Sequence, residues 1–256
     1  MNLIDTHTHL FGEQFDPDRE AMIHRALNAG VEWMLLPNID SQSVDSVLDT
    51  IRNFSSTKAM WGLHPCHVFA NWEEELAKIE PLFDSFPAVA VGEIGLDFYW
   101  SQEFVEEQKL ALVHQLEWAL DRKLPVSLHT REATQQTIEL VKPFADRGLA
   151  GVFHCFSGDE AEANSIIEMG FALGIGGSIT YKKNPVREFL SRIPLKSIVL
   201  ETDSPYLPPV PFRGKRNESA YLSEIATEVA ALCGTSPEKV AQITSENAKM
   251  IFKLNS

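Results

Sequence analysis

Little cysteine, little positive charge and no long apolar run set the first limits on this chain. Its three cysteines, Cys66, Cys155 and Cys233, are an odd number with no CxxC spacing. That argues against a disulfide framework or a thiolate zinc site, and for reduced thiols in a cytoplasmic setting. Lysine and arginine number 22 against 36 acidic residues, a formal charge of −14. A surface that holds duplex nucleic acid by its field alone is normally basic. Any nucleic-acid role must therefore rest on a local basic patch or on bound cations. No stretch approaches the roughly 20 apolar residues of a membrane span, so no membrane partner is expected. The opening Met-Asn-Leu-Ile-Asp lacks the basic region and apolar stretch of a signal peptide. Repeats, low-complexity segments and linkers are also missing, so the chain reads as a single domain over 1–256, with no obligate protein partner evident.

What is present is alternation. Short apolar runs at 3–4, 33–36, 59–63, 88–92, 125–128, 150–153, 171–175 and 197–200 predict strands. Between them, helical spacing predicts helices over 17–28, 38–53, 72–83, 101–122, 132–145, 160–169 and 185–192, with two or three more filling 217–252. Strands that are apolar without alternation are buried on both faces, as in a parallel sheet covered by helices. Eight βα units in about 250 residues predict an α/β fold, a TIM (β/α)8 barrel with extra C-terminal helices. A doubly wound open sheet is the competing arrangement. Only the closed barrel brings every strand end to one mouth.

Those strand ends are polar. The first run ends in Asp5-Thr6-His7-Thr8-His9-Leu10, and side-chain alternation puts His7 and His9 on one face. Glu93 ends the fourth strand, His129 the fifth, His154 the sixth and Asp203 the eighth. Alternation within strands also groups Val89, Val91 and Glu93 on one face, and Val199, Glu201 and Asp203 on another. One such residue is ordinarily a loop hydrogen-bonder. Four imidazoles and two carboxylates at the position where barrels hold their chemistry point to metal. They exceed one tetrahedral site and suit two cations, with Glu93 between them as bridge. Such a site lowers the pKa of a bound water, and Asp203 is placed to accept its proton or to ligate. Asp5 and Glu201 lie one step deeper, as expected partners for imidazole N–H groups. His64, in Gly62-Leu63-His64-Pro65, suits substrate contact, with a structural role as the alternative. Arg131 suits an anionic substrate group, against a plain solvated charge. Lys182, Lys183, Arg213, Lys215 and Arg216 form the basic concentration that could guide phosphates, against a solvated charge run. Asp97 could be a turn former or a rim contact.

The motifs Asp5-Thr6-His7-Thr8-His9-Leu10, Gly62-Leu63-His64-Pro65, Val91-Gly92-Glu93-Ile94-Gly95-Leu96-Asp97, Pro125-Val126-Ser127-Leu128-His129-Thr130-Arg131, His154-Cys155-Phe156-Ser157-Gly158, Glu201-Thr202-Asp203-Ser204-Pro205-Tyr206-Leu207 and Arg213-Gly214-Lys215-Arg216-Asn217-Glu218 run in order over nearly the whole chain. In these the chain resembles the TatD family of metal-dependent deoxyribonucleases, within the amidohydrolase-like barrels. The resemblance implies two divalent ions (magnesium, manganese or zinc), one held by His7, His9 and Asp203, the other by His129 and His154, with Glu93 bridging. It also implies phosphodiester hydrolysis on DNA, at ends or on single strands. The competing chemistry on the same site is amide, lactone or ester hydrolysis, for example deacylation of an RNA-linked substrate, because a fold does not choose the bond. A metal-stabilised, non-enzymatic scaffold is disfavoured, since a structural site is closed and needs no base.

Overall fold

The computed structural model describes residues 1–254. Eight strands form one all-parallel sheet in chain order: β1 (Leu3–Asp5), β2 (Val31–Pro37), β3 (Thr57–Trp61), β4 (Ala88–Asp97), β5 (Val126–Arg131), β6 (Gly151–Phe153), β7 (Ala172–Ile175) and β8 (Ile198–Leu200). The Thr6 amide just past β1 donates to the Leu200 carbonyl at 3.1 Å, so the last strand meets the first. The fold is a TIM barrel. Its helices are α1 (Arg19–Asn28), α2 (Val44–Asn53), α3 (Trp72–Ile79), α4 (Leu82–Ser85), α5 (Val105–Arg122), α6 (Thr134–Ala145), α7 (Glu160–Glu168), α8 (Leu222–Cys233) and α9 (Pro237–Phe252). Among the described residues no helix is long and apolar enough to cross a membrane.

Local chemistry explains where the elements start. An Asp159–Glu162 capping box opens α7, and Ser236 followed by Pro237 opens α9. The second helix begins later than its apolar spacing suggests. Asp40 and Ser43 first form a side-chain-bonded turn, the Asp40 carboxylate accepting from the Gln42 and Ser43 amides at 3.0 and 2.9 Å. The α-helix expected over 185–192 does not form. The chain there makes two 3-10 turns, Pro185–Glu188 and Leu190–Arg192. Pro194 lacks an N–H and disfavours the α conformation at Ile193 before it, which limits the segment on its C-terminal side.

Two apolar layers result. Leu3, Val91, Val126 and Leu128 pack outward against helix residues such as Met22, Ile23, Leu112 and Leu116. Inside the barrel, Ile4, Leu35, Met60, Ala90, Val152, Ala172 and Val199 meet Ala248, Phe252 and Leu254, so α9 plugs the bottom. This layering corrects the expected common face of Val91 and Glu93. Ala90 faces inward and Val91 outward, and the register against β5 shifts between Val91 and Ile94. The irregularity resets the alternation and turns Glu93 into the barrel.

Candidate metal centre

Five imidazoles surround the buried Glu93 carboxylate. His7 Nε2 lies 3.1 Å and His9 Nε2 3.7 Å from Oε2. His129 Nδ1 lies 2.9 Å, His154 Nε2 3.1 Å and His64 Nε2 3.4 Å from Oε1. Asp203 closes the group, its Oδ1 3.5 Å from His9 Nε2. These residues come from the turn after β1, from the segments just past β3, β6 and β8, and from within β4 and β5, which run on past Glu93 and His129 to Asp97 and Arg131 rather than ending there as expected; the closed barrel brings them together.

The rings are held from behind. Ser127 Oγ stands 3.1 Å from His7 Nδ1, Asp97 Oδ2 2.8 Å from His129 Nε2, and Glu201 Oε1 3.2 Å from His154 Nδ1. The Cys155 amide also donates to Glu201. Gly95, at φ 145°, passes so close to the His129 carbonyl that a Cβ would collide with it. Gly174 likewise leaves the space the Glu201 carboxylate fills. Glu201 therefore partners an imidazole as expected, but Asp5 does not. Asp5 accepts from the Thr202 amide at 2.8 Å and the Thr202 hydroxyl at 2.6 Å. It ties β1 to β8, because β1 ends at Asp5 and the following turn carries His7 into the mouth.

His64 differs from the other four rings. Its Nδ1 accepts the Cys66 amide at 3.0 Å, so the neutral ring keeps its proton on Nε2, facing Glu93. That tautomer makes His64 a donor into the site, although a donor atom of His64 groups with Glu93 and His129 within 4.8 Å. The same spacing groups His7 with His9 and Asp203, and His7 with His154 and Glu201.

Electrostatics shows what the cluster is built to hold. Burial would raise the Glu93 pKa, but His64, His7 and His154 outweigh it and hold the carboxyl well below its ordinary range. Asp203 is likewise held low against burial, mainly by its hydrogen bond from His9. Burial would lower His154, yet Glu93 and Glu201 push it well above the usual imidazole value. His129 is raised in the same way by Asp97 and Glu93, while burial lowers His7 and His64. The buried anions thus demand positive charge at the centre. His9 Nδ1 and Glu201 Oε2 are buried without a hydrogen-bond partner. Imidazoles and carboxylates with unmet acceptors around a demand for positive charge fit divalent cations.

Two cavities open on this floor and share His129, Arg131, His154 and Asp203. One, of about 430 Å³, adds His64, Trp100 and Tyr206; the other, of about 440 Å³, adds Ser157, Tyr181 and Lys183. A larger cavity, about 670 Å³, lies at the barrel's other end, lined by groups such as Leu124, Phe171 and Met250. Its lining has no His, Cys, Asp or Glu. Of the expected substrate contacts, His64 and Arg131 line the mouth, whereas Lys182, Arg213 and Arg216 line neither cavity. Arg213 lies over the Tyr181 ring at 4.4 Å. Arg216 is taken up by Asp18, at 2.7 and 2.9 Å, which corrects its expected availability for phosphate. Lys183, of the basic run, lines the second cavity and Asp97, left open between turn and rim, lines the first. Ser127, Trp100 and Tyr206 were not foreseen as site residues. Ser127 had a visible signal, as the one polar residue in the apolar run 125–128.

Known proteins match this architecture. A family model described as TatD related DNase matches residues 4–253. The chain is 36% identical over 255 residues to a Bacillus subtilis protein named uncharacterized metal-dependent hydrolase YabD, covering 99% of this chain and 100% of that one. It is 35% identical over 261 residues to an Erwinia amylovora protein named 3'-5' ssDNA/RNA exonuclease TatD, covering 98% and 100%. Among solved structures, the TatD homologue YjjV of Escherichia coli superposes with a TM-score of 0.93 at 30% identity, covering 99% of this chain and 98% of that one. With the family model spanning the whole barrel, from β1 to the end of α9, the chain belongs to the TatD family of metal-dependent hydrolases.

Proposed function

We propose that this hydrolase cuts phosphodiester bonds in single-stranded DNA, working inward from the 3′ end with two divalent cations at the barrel mouth. The observation that carries this reading is the convergence of four ligating imidazoles and two carboxylates on a floor shared by two cavities, with Arg131 reaching into both. His7, His9 and Asp203 would hold one cation and His129 and His154 the other, with Glu93 between them. Magnesium, manganese and zinc all suit this donor set. Bound there, the cations supply Lewis acidity toward the phosphate oxygens and acidify water.

The chain's own groups do the rest. Arg131 pairs with a nonbridging oxygen of the scissile phosphate, a fork geometry suited to phosphate. His64 donates from Nε2 toward the same group. Asp203 takes the proton of the attacking water. Lys183, in the second cavity, holds a neighbouring phosphate of the strand. Ser127, Asp97 and Glu201 keep three of the rings in register. The names of relatives such as the Erwinia protein support the single-stranded substrate and its polarity. The −14 charge agrees with a site that works through local contacts and cations rather than through the protein's overall field.

The test is hydrolysis of 5′-labelled and 3′-labelled single-stranded oligonucleotides by metal-stripped protein, with magnesium, manganese or zinc added back singly. A metal-dependent ladder from the 5′-labelled strand, lost in His154→Ala, is expected. Silence with every metal, from folded and metal-loaded protein, would shift the reading to acyl or amide hydrolysis.

A further inference from the structure

The mouth carries exposed aromatic rings that the hydrolytic site does not use. Trp100 is 69% exposed, Tyr206 53% and Tyr99 51%, whereas rings such as Trp61, Phe15 and Phe153 are buried. Trp100 and Tyr206 both line the cavity that has Glu93 and His64 on its floor. Exposed apolar surface beside a reaction site marks a ligand contact more often than an accident of folding.

The placement of Trp100 is built, not loose. It packs edge-on against Tyr99, with ring centroids 5.1 Å apart at 84°. The Arg131 guanidinium lies 3.9 Å over the Tyr99 ring and 5.3 Å from the Trp100 ring. One carboxylate anchors the pair to the metal centre. Asp97 Oδ1 accepts the Tyr99 and Trp100 amides at 3.0 Å each, and its Oδ2 meets His129 at 2.8 Å. The Phe98 amide continues the β4–β5 ladder by donating to the Arg131 carbonyl at 3.0 Å. The aromatic pair, Arg131 and His129 are therefore tied together through Asp97 and the β4–β5 ladder.

We propose that Trp100, braced by Tyr99 and Arg131, is the stacking wall for the unpaired terminal base of the strand being cut, with Tyr206 facing it across the cavity. The inference rests on the nuclease reading and adds its specificity. Every base has a π-face, so such a wall accepts any sequence. A paired base already has its partner and its stack, so a duplex end must fray before it can use the wall. The cavities then divide the strand, with bases toward Trp100 and phosphates toward Arg131 and Lys183.

Full-length, metal-loaded wild type, Trp100→Ala and Trp100→Phe are compared on single strands ending 3′ in thymidine or in an abasic residue. Wild type is expected to prefer thymidine by about tenfold, from the loss of one stacked base. Trp100→Ala should erase that preference through KM rather than kcat, and Trp100→Phe should restore most of it. Binding is read separately with a terminal 2-aminopurine, whose fluorescence should be quenched by wild type and by Trp100→Phe, not by Trp100→Ala. If Trp100→Ala cuts strands with the preference and quench intact, the wall is refuted and the nuclease reading stands. If wild type cuts nothing yet quenches through Trp100, the nuclease reading falls and the base-binding wall stands. Neither cutting nor quenching overturns both.

Discussion

At the lower end of the barrel, Ile4, Leu35, Met60, Ala90, Val152, Ala172 and Val199 meet α9 through Ala248 and Phe252. At the upper end the same strands deliver Glu93, His129, His154 and Asp203 into a space with only slight exposure to water. Burying apolar surface stabilises by roughly 25 cal/mol per Å². Burying carboxylates and imidazoles costs several kcal/mol per charge before pairing returns part of it. The bottom therefore carries most of the stability and the mouth carries the chemistry.

The largest effect is expected at the mouth. Glu93→Gln should lower kcat/KM by about a thousandfold, several kcal/mol of charge stabilisation, with a smaller fall in the urea midpoint, because the carboxylate that the surrounding imidazoles hold ionised also stabilises the fold. Phe252→Ala should do the reverse, losing about 3–5 kcal/mol of stability to a cavity under the barrel with kcat per folded molecule unchanged. A kcat/KM left intact by Glu93→Gln, or a kcat that falls with Phe252→Ala, would erase the division between the two ends.

A smaller effect tests the shell behind the ligands. Ser127→Ala leaves His7 Nδ1 without its 3.1 Å partner and should weaken Mn²⁺ binding by about 10–100-fold, read by calorimetry, with little change in stability. The smallest lies on the rim. Hydrogen bonds from Arg216 and Arg25 pull the Asp18 pKa down to about 2 from 3.8. A carboxylate depressed by folding contributes stability that is full above its unfolded pKa and is lost as pH falls toward 2. Asp18 is a third exposed, which screens the pair to under about 1 kcal/mol. The urea midpoints of wild type and Asp18→Asn should differ at pH 7 and converge as pH falls toward 2.

These contrasts also mark what the sequence could and could not disclose. The barrel was legible because every apolar run is short and ends in a polar or turn-forming residue. His7, His9, Glu93, His129, His154 and Asp203 were legible for the same reason. The direction of Glu93 was not derivable from alternation, because the register shift between Val91 and Ile94 is set by pairing with β5. Asp5 looked like an imidazole partner until the turn after β1 carried His7 away from its face. Arg216 looked free because Asp18, its partner, is 198 residues away in the chain. Such ion pairs and the Asp97 link to both His129 and the aromatic wall exist only in three dimensions.

The most direct measurement is calorimetric titration of Mn²⁺ into metal-stripped protein, alongside His9→Ala and His129→Ala. Two tight equivalents per chain are expected for wild type and one for each variant, since each removes a ligand from a different half of the site. A wild-type stoichiometry of zero, or variants that still bind two ions as tightly, would contradict a two-cation centre built on the strand ends.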